Sequence, residues 1–281
     1  MIIWNQIVNM SNLLSEEIID SVKDIACLAG DAIMDIYSTN FDFQLKDDNS
    51  PLTKADETSN KIILESLKET TPNIPVLSEE SSNISFEERA SWGTYWLVDP
   101  LDGTKEFIKK NGEFTVNIAL IENNTPIFGV IRVPALSVTY WGGAGIGSMK
   151  EIDQNIVKNI HVSKFNSENI RVISSRSHKN KILNSYLKSL GFTEEIHVGS
   201  SLKFCLLAEG KADFYPRLGP TSEWDTAAGE AILKFSGGFM LSDEGIKMAY
   251  NVSESLLNPY FLASSNEKLI EKFIGYYNKP N

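Results

Sequence analysis

The segment TYWLVDPLDGTKEF, residues 94–107, constrains this chain more than any other. Tyr95, Trp96, Leu97 and Val98 form a short apolar run of the kind that makes a buried strand. The run ends on Asp99, and Asp102 follows after only Pro100 and Leu101. No lysine or arginine intervenes before Lys105. Two carboxylates at this spacing repel one another, so a positive charge belongs between them.

Other acids fall in similar places. The stretch IPVLSEE reads as a short strand that ends on Glu79 and Glu80, and Asp225 opens a helix in the second half. Hard divalent cations take oxygen ligands, mostly carboxylates and carbonyls. Two such ions about 4 Å apart clamp a phosphoryl group. Asp99 and Asp102 suit that role, and Pro100 restricts the backbone so that the Leu101 carbonyl joins them. Gly103 and Thr104 then begin a helix whose free N–H groups suit a phosphate oxygen. Taken alone, Asp-x-x-Asp-Gly is equally an ordinary turn with a capping aspartate. Its acids are wrongly spaced for an EF-hand.

Around this segment helices and strands mix. Ser15 with Glu16 and Glu17 marks a helix start. Ile18, Val22, Ile25, Ala29 and Ile33 share one face of that helix, which should run to Tyr37. Residues 43–56 read as a loop between short strands, and 55–70 as a second amphipathic helix. Residues 113–134 read as two strands about an Asn-Asn turn, and 137–150 as a hairpin. The second half adds strands at 170–175, 194–199 and 212–217, with helices at 180–191, 201–210 and 224–238. The pattern is that of a layered α/β protein, with a division near residues 144–159 into halves 1–150 and 151–281 that form one compact unit.

The balance of 26 basic and 37 acidic residues gives −11, which argues against a nucleic-acid polymer as partner. Two distant cysteines suggest neither a disulfide framework nor a zinc site, and fit a reduced, cytoplasmic setting. The N-terminal apolar run is too short and interrupted for a signal peptide or an integral membrane segment. The glycines at 142, 143, 145 and 147 read as a hairpin turn, since no dinucleotide-type helix follows them. Cys205 reads as core. Trp92, Tyr95 and Trp96 read as packing residues.

The motifs DPLDGTKEF, SEE and WDTAAGEA together resemble the signature set of the inositol monophosphatase superfamily. SSRSH, GSSLKFCLLAEG, YPRLGP and LLNPYF are similar to its bacterial 3'(2'),5'-bisphosphate nucleotidases. The resemblance covers roughly residues 19–263 and implies an αβαβα sandwich of the inositol monophosphatase and sugar phosphatase type. It implies a lithium-sensitive phosphatase dependent on two or three Mg2+ ions. The implied metal ligands are Glu79, Asp99, the Leu101 carbonyl, Asp102 and Asp225. Thr104, paired with Asp56, matches the residue that orients the attacking water. Lys46 matches a lysine of a mobile loop, and Gly103 belongs to the phosphate-binding turn. His178, Ser200, Lys203 and Arg217 match positions that hold the nucleotide, and Glu223 is left without a role. The implied substrate is 3'-phosphoadenosine 5'-phosphate, with its sulfated form as a further one, in nucleotide recycling linked to sulfate assimilation. The implied protein is a monomer or homodimer in the cytoplasm, with the inner membrane face as a peripheral alternative. An inositol or sugar phosphatase, and a divalent-cation binder without turnover, are the other readings these residues leave open.

Overall fold

The computed structural model describes residues 13–45, 51–153, 155–164, 166, 169–176, 187 and 195–274. Helix α1 (Glu16–Tyr37) is capped by Ser15, whose side chain accepts the Ile18 N–H. It buries Val22, Ile25, Ala29 and Ile33 as the periodicity requires, with Ile19 in place of the half-buried Ile18. Strands β1 (Phe43–Leu45) and β2 (Pro51–Thr53) pair antiparallel. Helix α2 (Lys54–Thr70) follows directly, with Thr53 and Asp56 forming a reciprocal capping box that satisfies main-chain donors at its first turn.

Among the described residues a large sheet follows. It holds β3 (Val76–Ser78), β4 (Thr94–Asp102), β5 (Thr115–Glu122), β6 (Thr125–Val133), β7 (Val138–Gly143), β8 (Gly147–Ile152) and β9 (Ile156–Asn159) in sequence order. All neighbours are antiparallel except β3 and β4. The short helix α3 (Phe86–Arg89) lies between β3 and β4, and α4 (Thr104–Ile108) follows β4. Asn123 and Asn124 both take positive φ, 47° and 61°, as the tight β5–β6 turn demands.

The second sheet holds β10 (Val172–Ser175), β11 (Glu195–Val198), β12 (Phe214–Arg217), β13 (Phe239–Ser242) and β14 (Phe261–Ser264), ordered β11-β10-β12-β14-β13. Helices α5 (Leu202–Ala208) and α6 (Ala227–Phe235) lie between the sheets, and α7 (Glu267–Glu271) lies on the outer face.

Three apolar clusters cement these five layers. One joins α1 and α2 to the large sheet, one fills the space between the sheets around α5 and α6, and one lies under α7. Strand β4 is buried on both faces. Trp96 and Val98 enter the α1–α2 cluster, while Tyr95 and Leu97 enter the inter-sheet cluster. The Trp96 ring donates to Thr71 Oγ1 at 2.8 Å. Helix α6 lies so close to β6 that a Cβ at Gly129 would stand 2.5 Å from the Ala228 carbonyl.

The structure departs from sequence expectation in details. The strand expected through Glu80 ends at Ser78, and Glu79–Ser81 is a 3-10 turn. The helix expected from Trp224 begins as a separate 3-10 turn, Glu223–Asp225. Residues 156–159, read as part of a division, are the exposed edge strand β9. Strands β13 and β14 carry too little alternation to be noticed. The helix expected over 180–191 lies outside the described residues except at Leu187.

Candidate active site

Strand β4 carries Asp99 and Asp102, and its pairing with β5 becomes irregular between them. That break lets both carboxylates turn toward one place. A carboxylate oxygen from each of Asp99, Asp102 and Asp225 lies within 4.8 Å of the others. Asp99 is buried, while Asp102 and Asp225 are half-buried. Burial pushes the Asp99 carboxyl well above the usual carboxylate range, and the charges of Glu79, Asp102 and Asp225 push it further. Burial also raises Asp102, against the opposing pull of Lys203. Burial, then Asp102 and Glu79, push Asp225 up to about 8. Glu79 starts the 3-10 turn after β3; its charge reaches Asp99 and Asp225, although it stands outside the tight trio.

Several local bonds fix these groups. Asp99 Oδ1 accepts the Leu101 N–H at 3.1 Å. Asp102 Oδ2 accepts the Ser201 N–H at 2.5 Å. Asp225 Oδ2 accepts the Ser222 N–H at 2.9 Å. The Ser59 hydroxyl donates to the Pro100 carbonyl at 2.7 Å, which anchors the bend to α2. Gly103 follows at φ 90°, and a Cβ there would meet the Glu113 carbonyl at 3.1 Å.

Thr104 opens α4, and its hydroxyl lies 3.2 Å from Asp56 Oδ1 and 3.3 Å from the Leu101 carbonyl. Asp56 Oδ2 is occupied by the Thr53 N–H and hydroxyl, at 2.7 and 2.6 Å. Asp56 is 2% exposed, so its other oxygen, Oδ1, is held toward Thr104.

A cavity of about 220 Å³ brings Asp102, Thr104, Ser200, Lys203, Arg217 and Asp225 together, with Gly103 in its wall. Asp56, Asp99, Leu101 and Glu79 are not among its lining residues. Ser200 takes φ 49° in the turn before α5. Lys203 is buried; its ammonium donates to the Ser200 carbonyl and lies over the Tyr215 ring at 5.5 Å. Burial lowers its pKa to about 8, partly offset by Asp102. Arg217 donates to the Pro220 carbonyl at 2.8 Å, and its buried Nε lacks a partner among the described residues. His178 and Lys46 lie outside the described residues.

Sequence reasoning missed several supports. Ser201 sits inside the quoted GSSLK motif, yet only the fold shows its main chain on Asp102 and its hydroxyl on Asn117 Oδ1 at 2.6 Å. Asn117, on β5 and opposite Asp99 in the pairing, also holds the Asp102 carboxyl down against burial. At the rim, Glu113 accepts two bonds from Arg176 at 2.7 Å and the Gly199 N–H at 2.8 Å. The bonds of Ser201 and of Glu113 join residues 63 or more positions apart, and no local pattern announces them.

The donor set fits a hard divalent cation. Clustered carboxylates raised by mutual repulsion are what such an ion relieves. In the same cavity, Lys203 and Arg217 supply positive charge, and that of Lys203 reaches Asp102. The arrangement suits an anionic ligand that meets a metal on the carboxylates and the two cations in one cavity.

The sequence model of the inositol monophosphatase family matches residues 14–278. A 3'(2'),5'-bisphosphate nucleotidase CysQ of Salmonella typhimurium is 48% identical over 245 residues, covering 86% of this chain and 98% of that protein. The protein of that name from Escherichia coli strain K12 is 46% identical over 248 residues, covering 88% and 99%. A crystal structure of CysQ from Bacteroides thetaiotaomicron, a bacterial member of the inositol monophosphatase family, superposes with TM-score 0.78 at 40% identity, covering 89% of this chain and 98% of that one. The layered αβαβα architecture, the carboxylate trio beside β4 and these matches agree: this chain belongs to the inositol monophosphatase family.

Proposed function

We propose that this chain is a magnesium-dependent phosphomonoesterase that hydrolyses 3'-phosphoadenosine 5'-phosphate to AMP and phosphate. The observation that carries the reading is one cavity lined by both acids and cations, Asp102 and Asp225 together with Lys203 and Arg217, beside the buried Asp99. A nucleotide with a 3'- and a 5'-phosphate offers one anion to metal on the carboxylates and a second to the two cations. The named activity of the CysQ relatives supports the same choice.

In this reading residues 1–150 supply the hydrolytic machinery and residues 151–281 supply Asp225 and the nucleotide contacts. Glu79, Asp99, the Leu101 carbonyl, Asp102 and Asp225 would hold two or three Mg2+ ions. When bound, magnesium neutralises phosphate oxygens and acidifies water. The chain's own residues position the reactants. The carboxylate of Asp56 is a stronger acceptor than the Leu101 carbonyl, so the Thr104 proton goes to it. The Thr104 lone pairs are then left to accept a water O–H, which orients that water toward phosphorus. Water oxygen bonds to phosphorus, the bond to the ribose 3'-oxygen breaks, and the proton the water gives up ends on that oxygen. Lys203, Arg217 and Ser200 hold the rest of the nucleotide, and His178 joins them. The two cysteines are unpaired, and no helix among the described residues is long and apolar enough to cross a membrane. Both features accord with a cytoplasmic place of action.

Phosphate release tests the proposal. It is measured with the bisphosphate, its 5'-phosphosulfate form, 3'-AMP and inositol 1-phosphate, with magnesium and with chelator. Fastest release from the bisphosphate, abolished by chelator, is expected. Faster release from inositol 1-phosphate overturns the substrate. Magnesium binding without any phosphate release overturns the enzyme reading.

A further inference from the structure

Glu223 stands two residues before Asp225, is 3% exposed and has no part in the scheme above. Both its carboxylate oxygens accept the Asn251 main-chain N–H, at 2.9 and 2.8 Å. Asn251 in turn grips Arg89. The Arg89 guanidinium donates to Asn251 Oδ1, and Asn251 Nδ2 donates to the Arg89 carbonyl at 2.6 Å. Arg89 also donates to the Glu254 carbonyl. Arg89 and Asn251 are themselves 2% and 3% exposed.

The loop around Asn251 is tied at both ends. Toward the large sheet, Tyr250 N–H donates to the Asn124 carbonyl at 3.0 Å, and Asn124 Nδ2 returns a bond to the Tyr250 carbonyl at 2.6 Å. Toward the Asp225 turn, Glu223 N–H donates to the Leu256 carbonyl at 2.8 Å. Asn258 Nδ2 donates to the Ser222 carbonyl at 2.6 Å and to Thr226 Oγ1 at 3.1 Å. Residues 250–258 thus form a strut between α3 and the β5–β6 turn on one side and the Asp225 turn on the other.

Asp99 and Asp102 belong to the large sheet, whereas Asp225 follows β12 of the small one. Their spacing is a distance between two separate sheets, and the strut spans it. We propose that Glu223, Asn251 and Arg89 are positioning residues that set Asp225 against Asp99 and Asp102, and thereby set the affinity for a divalent cation. The inference rests on the metal-dependent reading given above. Groups that orient metal ligands without touching the ion change affinity by tenfold or more when lost.

The conformation of Asn251 supplies the test. Its φ of 57° is open to glycine, so Asn251→Gly keeps the main-chain path and the N–H to Glu223 while cutting both links to Arg89. Full-length protein stripped with chelator is titrated with magnesium, read by calorimetry and by the rise in melting temperature. The expected result is a half-saturating magnesium concentration raised about tenfold. Glu223→Gln, which keeps the volume and one acceptor, is expected to give a smaller rise, and it is the reading to use if Asn251→Gly fails to fold. Arg171→Met is the control. It breaks the Arg171–Asp213 ion pair away from the strut, and should lower the melting temperature without moving the half-saturation point. Unchanged magnesium affinity in both strut variants, in a wild-type background that binds magnesium and releases phosphate, overturns this inference alone. A wild-type chain with no magnesium response overturns the metal reading and this inference with it.

Discussion

Asp225→Asn should change sign with metal. In the metal-free protein the substitution is expected to stabilise the fold, and in the loaded protein to weaken it. Within 4.8 Å of one another and at an effective dielectric of about 20, two unit charges repel by about 3 kcal/mol or more. Burial and this repulsion raise Asp225 to about 8. At pH 7 the folded chain therefore holds this proton, while the unfolded chain has released it. Holding it costs about 1.4 kcal/mol per pH unit above the ordinary value. That value is 3.8, so the cost at pH 7 is about 4 kcal/mol. Asparagine keeps an oxygen for the Ser222 N–H and avoids the cost. The sign follows from a folded value raised above the unfolded one. The penalty is absent below pH 3.8, grows through neutrality, and levels off above about 8. Urea denaturation in chelator at pH 4 and pH 7 reads this directly. The variant should gain about 3–4 kcal/mol at pH 7 and almost nothing at pH 4. With magnesium the wild type should overtake it, because an ion bound only by the folded state stabilises that state, and phosphate release by the variant should be nearly lost. A variant less stable than wild type in chelator at pH 7 would refute the reasoning, as would full turnover at limiting magnesium.

Thr104→Val keeps the shape but loses the bond to Asp56. It should lower kcat by about 100-fold with little change in KM, and a rise in KM alone would assign Thr104 to ground-state binding. Lys203→Met and Arg217→Met should each lower kcat/KM for the bisphosphate by a factor of about 10 to 150, the worth of one charge-assisted bond. Because 3'-AMP lacks the 5'-phosphate, its hydrolysis should be spared, and equal losses on both substrates would make these cations structural. Lithium should inhibit, and rates at several substrate levels should show that excess substrate does not relieve it; inhibition that vanishes at saturating substrate would mean simple competition.

How far the sequence speaks depends on the range of the interaction. Helix α1 was legible because one face of a periodic segment is buried. The β5–β6 turn was legible because Asn123 and Asn124 are among the few non-glycine types suited to positive φ. Asp99 and Asp102 stood out because charge so seldom follows an unbroken apolar run. The glycine cluster was only partly understood. Gly145 and Gly147 take positive φ in the hairpin, but Gly142 lies in β7, where a Cβ would come 2.9 Å from Ile232 Cα on α6. The Ser201–Asp102 bond and the Asn251–Glu223 bond were invisible, since both depend on loops that meet only after the sheets have assembled. Glu223 looked like one more acid beside a motif, and its burial under residues 250–258 has no local signature.

The double burial of β4 has a consequence for strand registration. In most sheets a slip of one residue is punished because it turns the apolar side chains outward. Here Trp96 and Val98 would exchange places with Tyr95 and Leu97, and each cluster would still receive apolar groups. Hydrophobicity alone thus leaves this strand's alignment undecided. The arbiters are polar and few: the Trp96 ring on Thr71, the Ser59 hydroxyl on the Pro100 carbonyl, and Asp99 itself, which a slip would drive into a dry interior. The buried carboxylate doubles as the proofreader of its own strand. Replacing it by a small apolar residue removes that check, and the misaligned chain that follows should be compact, well packed and inert.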